Sequence, residues 1–383
     1  MVDEKNQVTR NSEFKLRVLD IADVDSPLIL AWKELEQRAV EPNPFLSPNF
    51  VLPALVHLEN KRKVIFLFVE KLSMGSNTLV GVGLFTLDNP SKYFPLPHLT
   101  AFHTKYSYLS GLLVDRNCVD NVVSVIYRYI SNPNNKWQSL VLHDKSLCEL
   151  SDDSEKRITT ELGLKWVPYK EWERAKLVIG ERENVAQNLS RNVKKALQRR
   201  TRRLEELGEI KFAVRSGNDL TPEVINRFLA LENMGWKGAE GTSILSHAND
   251  TEFFRQMVGK FNETRKVFFS ELYLNNTVIA SNVTLVSGKV GFAFKLGWDP
   301  EYAKLSAGNL LEAHSLSSAD PLYVRLEYID GCSDANAEYM NVLWLHRRRM
   351  KSGVYAINGT AKALASLMGF SARVIKRARK RIG

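Results

Sequence analysis

Hydrophobic and polar positions along this chain follow two different periods, which predict a mixed α/β protein. Short apolar or alternating runs predict strands, and apolar positions spaced by three or four predict helices. The predicted strands are Phe14–Ile21, Val64–Glu70, Leu79–Leu87, Tyr106–Val114, Leu140–His143, Trp166–Ile179, Ile210–Arg215, Val267–Leu274, Val278–Val286, Val290–Trp298, Val324–Ile329 and Val354–Ile357. The predicted helices are Leu28–Ala39, Pro48–Leu58, Val119–Ile130, Glu155–Leu162, 184–207, Pro222–Met234, Thr251–Asn262, Gly308–Ala319, Ala337–Leu345 and a C-terminal helix from Thr360.

The order of these elements occurs twice. The order β-α-α-β-β-β-α-β-α is read at about 1–180 and again at 208–358, with no obvious sequence identity between the two copies. We therefore predict two similar α/β domains with largely antiparallel sheets. The predicted boundaries are an N-terminal domain at 1–180, a basic connecting helix at 181–207 and a C-terminal domain at 208–383.

Positive charge is concentrated in two short segments. The chain has 383 residues, is 44% hydrophobic and 25% charged, and carries a net charge of +10. Residues 191–203 contain seven Lys and Arg, residues 373–382 contain six, and neither segment has an acidic residue. The remainder of the chain is slightly negative. Such basic helices are solvated faces, or they attract an anionic small molecule, a membrane surface or a polynucleotide.

Several classes of protein are excluded by composition and motif. The composition argues against intrinsic disorder, a collagen-like repeat and a disulfide scaffold. The three cysteines, Cys118, Cys148 and Cys332, are widely spaced, which argues against a zinc site and favours a reducing compartment. The sequence has no P-loop motif and no metal-ligand spacing, so we expect no metal. We expect no signal peptide and no membrane span, and a cytoplasmic location.

The densest chemistry lies in one stretch, FAFKLGWDPEYAKLSAGNLLE at 292–312. A strand ends near Trp298, a short loop follows, and a helix starts at about Gly308. A loop of small residues at a helix N-terminus presents N–H groups and a positive dipole end, which suit a phosphate. Lys304 and Ser306 lie beside it, and Gly308 lets a ligand approach the backbone. The alternative is an ordinary strand-to-helix turn with Ser306 as N-cap.

This stretch resembles the GNAT acetyltransferase superfamily. More narrowly, it is similar to the tandem-domain branch related to CelD-type acetyltransferases of cellulose biosynthesis and to Fem-type aminoacyl transferases. Softer similarities are the segments RNVKKA at 191–196, FLSP at 45–48 and DGCSD at 330–334. The residues that carry the main resemblance are Lys295, Trp298, Asp299, Tyr302, Ala303, Lys304, Ser306, Gly308, Leu310 and Leu311.

The resemblance implies a GNAT-like fold in both halves and acyl-CoA-dependent transfer to an amino or hydroxyl group by the second half. It places the coenzyme A pyrophosphate on Lys304, Ser306, Gly308 and Asn309. It also implies that the first half is a degenerate copy, because its equivalent loop, DRNCVD at 115–120, lacks the Ser-x-Gly pair.

Acyl transfer requires a base for the acceptor proton and stabilisation of an oxyanion. Lys295 is a candidate to pair with an anionic acceptor, and Trp236 in NMGWKGAEG is a candidate for an acceptor loop. For each candidate the alternative is a structural role as cap, ion pair or core residue. The candidate bases near the loop are Asp299, Tyr302, Glu312 and Asp330.

Two other functions remain open from the sequence. One is a Fem-like transfer from an aminoacyl-tRNA, which would use the basic helix for RNA. The other is a non-catalytic scaffold in polysaccharide biosynthesis that retains only the fold. In either case the basic segments would also suit the inner face of an anionic membrane. Few aromatic residues interleave with these charges, which disfavours recognition of single-stranded RNA by base stacking.

Overall fold

The computed structural model describes residues 10–11, 13–59, 62–90, 95–364 and 367. The strands are β1 Arg10–Asn11, β2 Phe14–Leu19, β3 Val64–Lys71, β4 Thr78–Asp88, β5 His98–Ala101, β6 Leu112–Val114, β7 Ser139–Ser146, β8 Lys165–Val178, β9 Ile210–Arg215, β10 Val267–Leu274, β11 Thr277–Ser287, β12 Val290–Trp298, β13 Tyr328–Asp330 and β14 His346–Ala356. The α-helices are α1 Ser26–Arg38, α2 Pro48–His57, α3 Val119–Ile130, α4 Glu149–Glu161, α5 Arg182–Asn188, α6 Arg191–Glu205, α7 Pro222–Asn233, α8 Trp236–Ala239, α9 Ala248–Glu263, α10 Ala307–His314, α11 Pro321–Val324 and α12 Glu338–Asn341.

The chain divides into two compact units that are not continuous in sequence. Unit 1 comprises residues 1–48, 61–172 and 349–383, and unit 2 comprises 49–60 and 173–348. The division differs from the predicted boundaries, because α2 is assigned to unit 2 and the end of β14 to unit 1. The boundaries near 172 and 348 fall inside β8 and β14, so each of these strands begins in one unit and ends in the other.

Unit 1 is a mostly antiparallel sheet. Its strands follow the order β1-β2-β3-β4-β5-β7-β14, and β6 also pairs with β4. One pair is parallel: Leu99 of β5 lies opposite Leu140 of β7, and α3 is part of the connection between these strands. The core lies between this sheet and α3, whose buried residues include Val122 and Ile126.

Unit 2 repeats this plan. Its order is β13-β12-β11-β10-β9, with the end of β8 on the far side of β13. All neighbours are antiparallel except β12 and β13, which are parallel and connected through α10. The predicted repeat is therefore present: each unit has an antiparallel sheet with one parallel pair joined by a helix. The core of unit 2 contains Phe268, Ile329 and Trp344.

Several predicted elements differ from the structure. The predicted strand Val324–Ile329, for example, is strand only from Tyr328, and Val324 is the last residue of α11. The predicted helix at 184–207 is two helices, because the Ser190 hydroxyl accepts a hydrogen bond from the Val193 amide at 3.3 Å and starts α6 afresh. The predicted strand Tyr106–Val114 is strand only at β6, since Thr104 and Ser107 hydrogen-bond locally and hold residues 104–107 in a turn. The predicted helix from Gly308 ends at His314. The basic segment 373–382 lies outside the described residues.

Candidate active site in unit 2

The connection from β12 to α10 forms the centre of the candidate site. After β12, the Asp299 carboxylate accepts a hydrogen bond from the Glu301 amide at 2.9 Å and starts a 3-10 helix over residues 300–305. Ser306 follows with a φ of 52°, a left-handed conformation that turns the chain into α10. The sequence prediction of strand, loop and helix is therefore correct. The turn directs the first amides of α10 to the end of the sheet where β12 ends.

The parallel pairing of β12 with β13 ends before β12 does. Their pairing runs from Val290 opposite Tyr328 to Phe292 opposite Asp330, whereas β12 continues to Trp298. In β12 a bulge leaves Phe294 as the extra residue relative to β11. A bulge bends its strand and re-aims side chains. The carboxyl ends of parallel strands are a usual place for ligands in sheets covered by helices, and α10 begins at that place.

The predicted donor residues lie together around the start of α10. Lys304 is exposed, and Ser306 and Asn309 are half-buried. Within the described residues the Ser306 side chain makes no capping hydrogen bond, so it does not act as the predicted alternative, a side-chain N-cap. Burial, together with Glu301 and Asp299, raises the pKa of the half-buried Tyr302 above its ordinary value, which disfavours the phenolate as a base.

Gly308 lies where α10 packs on β12. A β-carbon at this position would lie 3.1 Å from Leu296 Cδ2 and 3.4 Å from Trp298 Cδ1. The space that the missing side chain leaves is therefore directed at β12, where it allows α10 to pack closely on the strand. The prediction that Gly308 opens the backbone to a phosphate has no support in this geometry.

A cavity lies beside the end of β12, on the α7 side. It is lined by Leu231, Glu232, Met234, Gly235, Lys237, Leu296, Gly297, Trp298 and Pro300. The cavity thus joins the residue before the donor loop, Trp298, to the segment that follows α7. Trp236, the predicted acceptor residue, starts α8 between two of the lining residues, Gly235 and Lys237.

The charged groups of this cavity form one ion pair. Lys237 Nζ lies 3.1 Å from Glu232 Oε1 and 3.4 Å from the carbonyl oxygen of Leu296. The Glu232 side chain is only 2% exposed, and its second oxygen accepts a hydrogen bond from the Ile244 amide at 2.9 Å. Both carboxylate oxygens are therefore engaged, and Lys237, whose side chain is 25% exposed, is the more accessible of the two partners.

Lys295, the other predicted acceptor residue, is half-buried at the β12 bulge, opposite Val283. Its charge lowers the pKa of Cys332, although burial and Asp330 raise that pKa overall. Cys332 is therefore a thiol, and it is buried. This argues against a thiolate nucleophile at this position.

Glu312 belongs to α10 and lies on the face of that helix that packs against the sheet. Its carboxylate accepts a hydrogen bond from Asn282 Nδ2 of β11, and its side chain is buried. Burial raises the pKa of Glu312 to about 7, and the Asn282 hydrogen bond opposes that rise. A carboxyl with this pKa can accept and release a proton near neutrality. Glu312 is not among the residues that line the cavity.

Asp330 is part of a buried ion triad. Its carboxylate pairs with Arg174 at 2.6 Å and with Arg348, and all three side chains are at most 7% exposed. Burial alone would raise the pKa of Asp330, but the two guanidinium groups lower it. A fully paired, ionised carboxylate does not take up a proton readily, so the geometry favours the structural alternative for this residue.

In unit 1, the start of α3 corresponds to the start of α10. Asp115 precedes that helix and is buried, and its carboxylate pairs with Arg38 Nε at 2.5 Å and accepts a hydrogen bond from the Asn117 amide at 2.9 Å. Asp299 accepts the same kind of amide hydrogen bond in unit 2, so what distinguishes unit 1 here is the ion pair of Asp115 with Arg38. That the first copy lacks a donor loop stays a prediction from its sequence.

Three residues of the site were missed by the sequence reasoning. Glu232, Lys237 and Asn282 are separated by 5 and 45 positions, and no spacing motif joins them. Lys237 does lie within the NMGWKGAEG segment that drew attention to Trp236. One further feature could have drawn attention to Glu232: it is an acidic residue next to the buried Leu231, on a helix with an apolar face.

A family model matches the part of the chain that holds the candidate site. Residues 191–330 match the family model described as an acetyltransferase (GNAT) domain. This range begins with α6 and ends with β13, so it contains the loop at 299–306, α10 and the cavity. Together with the repeated topology, the match gives a mixed α/β fold of two tandem GNAT-like domains.

Solved structures with the same fold cover nearly the whole chain. The crystal structure of FemX is 8% identical, with a TM-score of 0.57, over 89% of this chain and 98% of that chain. A conserved protein of unknown function from Bacteroides thetaiotaomicron is 12% identical, with a TM-score of 0.52, over 89% and 99%. The C-terminal domain of a putative lysylphosphatidylglycerol synthetase from Agrobacterium fabrum is 12% identical, with a TM-score of 0.51, over 90% and 95%. No curated protein matches the chain in sequence. The CelD-type part of the predicted resemblance has no counterpart among these findings.

The described residues contain neither a metal-binding group nor a membrane-spanning helix. Among them, no group of three or more His, Cys, Asp and Glu side chains is placed to hold a metal ion. In the same part of the chain, no helix has both the length and the apolar composition needed to cross a membrane.

Proposed function

We propose that this protein transfers an acyl group, of which acetyl is the simplest, from coenzyme A to an amino or hydroxyl group of a small or glycan-linked acceptor, and that unit 2 carries out the reaction. The observation that carries the proposal is that β12 continues past its last pair with β13, at Phe292, to Trp298, from which the chain leads into α10, within the range that matches the GNAT domain. The donor is a long chain with amide groups near its thioester and phosphates at its other end. A strand edge that extends beyond its neighbour and a helix N-terminus suit these two parts.

In this proposal the donor phosphates lie at the start of α10, near Lys304, Ser306 and Asn309. The acyl group lies at the end of β12, and the acceptor enters the cavity that contains Lys237 and Trp298. Holding the two reactants together at this strand end supplies much of the rate enhancement, since acyl transfer from a thioester needs mainly proximity and orientation. A base then takes the proton of the attacking amino or hydroxyl group, and a backbone amide near the β12 bulge or Lys237 stabilises the oxyanion. The C–S bond of the thioester then breaks, and coenzyme A leaves as a thiolate that receives this proton.

The choice of base among the predicted residues is narrowed by their surroundings. The Asp299 carboxylate starts the 3-10 helix, Asp330 is paired with two arginines, and the pKa of Tyr302 is raised. Glu312 is the candidate whose pKa of about 7 suits proton transfer, and its buried position makes a relay through neighbouring polar groups necessary.

A titration of coenzyme A and acetyl-CoA by calorimetry tests the proposal. We expect one equivalent per chain. Amide exchange should slow near residues 304–310 and should not change near 114–120, because the unit 1 loop lacks the Ser-x-Gly pair. Lys304→Glu should weaken binding about tenfold, since one charge-assisted hydrogen bond is lost and an anion is added. Lys211→Glu on β9, also exposed, is the control. Two equivalents, or protection confined to unit 1, would contradict the assignment.

A second candidate function is aminoacyl transfer from a charged tRNA, as in the predicted Fem-type alternative. The specific observation in its favour is the exposed basic face of α6 in a protein that shares the FemX fold. The two functions separate in a thermal-shift comparison of acetyl-CoA and aminoacyl-tRNA, because a ligand raises the melting temperature according to its concentration relative to its Kd. A protein that binds neither would be the non-catalytic scaffold.

A further inference from the structure

The helix α6 has one apolar face and one basic face. Val193, Leu197 and Leu204 lie in hydrophobic clusters of unit 2, and Leu204 is fully buried. The apolar face is therefore used for packing and is not available for insertion into a bilayer. The opposite side carries exposed basic residues, which are Arg191, Lys195, Arg199, Arg202 and Arg203.

The C-terminal half of α6 lies beside the candidate donor loop. Leu204 shares a hydrophobic cluster with Tyr302, Leu305 and Leu310, and α6 packs against both the 300–305 segment and α10. Arg200 and Arg203 lie within about one helical turn of Leu204. The positive charge of this half of α6 is therefore next to the start of α10, together with the exposed Lys304.

Three of these arginines have no partner recorded within the described residues. They are Arg199, Arg200 and Arg203, whereas Arg202 lies 3.7 Å from Glu206. Since successive residues of an α-helix are rotated by about 100° around its axis, these three arginines lie on one side of the helix, between its exposed face and its packed face. Like charges this close repel each other, so an anion that binds among them relieves that repulsion.

We propose that Arg199, Arg200 and Arg203 bind the terminal 3′-phosphate of coenzyme A, with its pyrophosphate at the start of α10. This inference rests on the proposed function and names the part of the donor that this helix recognises. A phosphate monoester is a compact dianion, and arginine binds it through two parallel N–H groups. Arg199 and Arg203 are separated by about 6 Å along the helix axis, which is the scale of one phosphate group.

The size of this patch favours a small ligand over RNA. A polynucleotide gains affinity from many phosphate contacts spread along its backbone. The three arginines occupy a little more than one helical turn, and they lie next to a loop where a small phosphorylated ligand is expected. RNA binding is therefore the alternative that the experiment must exclude.

The test compares two ligands that differ only in this phosphate, coenzyme A and 3′-dephospho-coenzyme A. Calorimetry on the full chain would use the unsubstituted protein and the variant Arg199→Gln/Arg200→Gln/Arg203→Gln. The matched control is Arg191→Gln/Lys194→Gln/Lys195→Gln, which removes three charges from the other end of the same helix. Circular dichroism and melting temperature establish that each variant is folded.

We expect the first variant to lose about tenfold in affinity for coenzyme A and less than about threefold for the dephospho form, as charge-assisted hydrogen bonds to one phosphate are lost. The control should bind both ligands as the unsubstituted protein does. Equal loss for both ligands, or equal loss in both variants, would overturn the inference and leave the proposed function intact. Unchanged coenzyme A affinity with weakened binding of an RNA hairpin would assign the arginines to RNA. Failure of the unsubstituted protein to bind coenzyme A would overturn both proposals.

Discussion

A β-carbon on Gly297 of β12 would lie 2.8 Å from the backbone nitrogen of Glu232 in α7. The helix and the strand are therefore in backbone contact at the cavity. This contact places Glu232, and through it Lys237, beside the last residues of β12 and the donor loop. A glycine is required here because no other residue leaves room for the helix.

Gly297→Ala should therefore lower stability by about 1–3 kcal/mol, since α7 must move away from β12. It should also lower the affinity for the acceptor by changing the cavity. The control is Gly259→Ala in α9, where a β-carbon meets nothing within 4 Å. That control should raise stability by about 0.5–1 kcal/mol, as alanine in a helix does relative to glycine. Urea unfolding of both variants checks these values, and equal effects would show that the contact is not tight.

The Lys237–Glu232 pair should be structural as well as functional. Lys237→Met leaves a buried carboxylate without its counter-charge, and we expect a loss of about 2 kcal/mol or more. The double variant Glu232→Gln/Lys237→Met removes both charges and should recover most of that stability, while binding of an anionic acceptor stays weak. A double variant less stable than Lys237→Met would show that the two charges do not act as a pair.

Glu312 should make stability depend on pH. Its pKa is raised from 4.5 in the unfolded chain to about 7 in the fold. The folded protein therefore holds this proton more tightly, so the contribution of Glu312 to stability is full below pH 4.5 and is lost as the pH rises through 7. The loss is on the order of 3 kcal/mol, since each pKa unit corresponds to about 1.4 kcal/mol. Unfolding of Glu312→Gln at pH 4.5 and 8 should show this component absent.

Glu312→Gln also tests the proposed base. If Glu312 accepts the acceptor proton through a relay, kcat falls in the variant and the acidic limb of its pH profile near 7 disappears. If only stability changes and the limb remains, the residue stabilises the fold and another group is the base.

Asp330→Asn should damage the fold more than the chemistry. The change leaves Arg174 and Arg348, both buried, without a full counter-charge, and we expect a loss of about 3–5 kcal/mol. Asp330→Glu retains the charge and should lose less. The rate of acetyl-CoA turnover per folded molecule should remain near that of the unsubstituted protein. A variant of unchanged stability that is inactive would instead identify Asp330 as a catalytic residue.

The sequence by itself determined the repeated order of helices and strands and the position of the strand, loop and helix at 290–314. These features depend on hydrophobic period, caps and turn residues, all of which act over a few positions. Val119–Ile130, Val267–Leu274 and Val290–Trp298 have the predicted bounds. At Ser190 and Thr104, side-chain hydrogen bonds change the course of the backbone. There the sequence prediction merged two helices into one and extended a strand too far.

The tertiary structure alone decided which of the predicted residues meet. Asp330 and Glu312 are similar acids in sequence. Arg174, which is distant in sequence, helps to lower the pKa of Asp330, whereas burial between α10 and the sheet raises the pKa of Glu312. Gly308 and Gly297 lie where a helix packs closely on a strand. No local sequence pattern indicates this packing. Charge burial and backbone contact depend on distances across the fold, and those distances exist only once the sheet has formed.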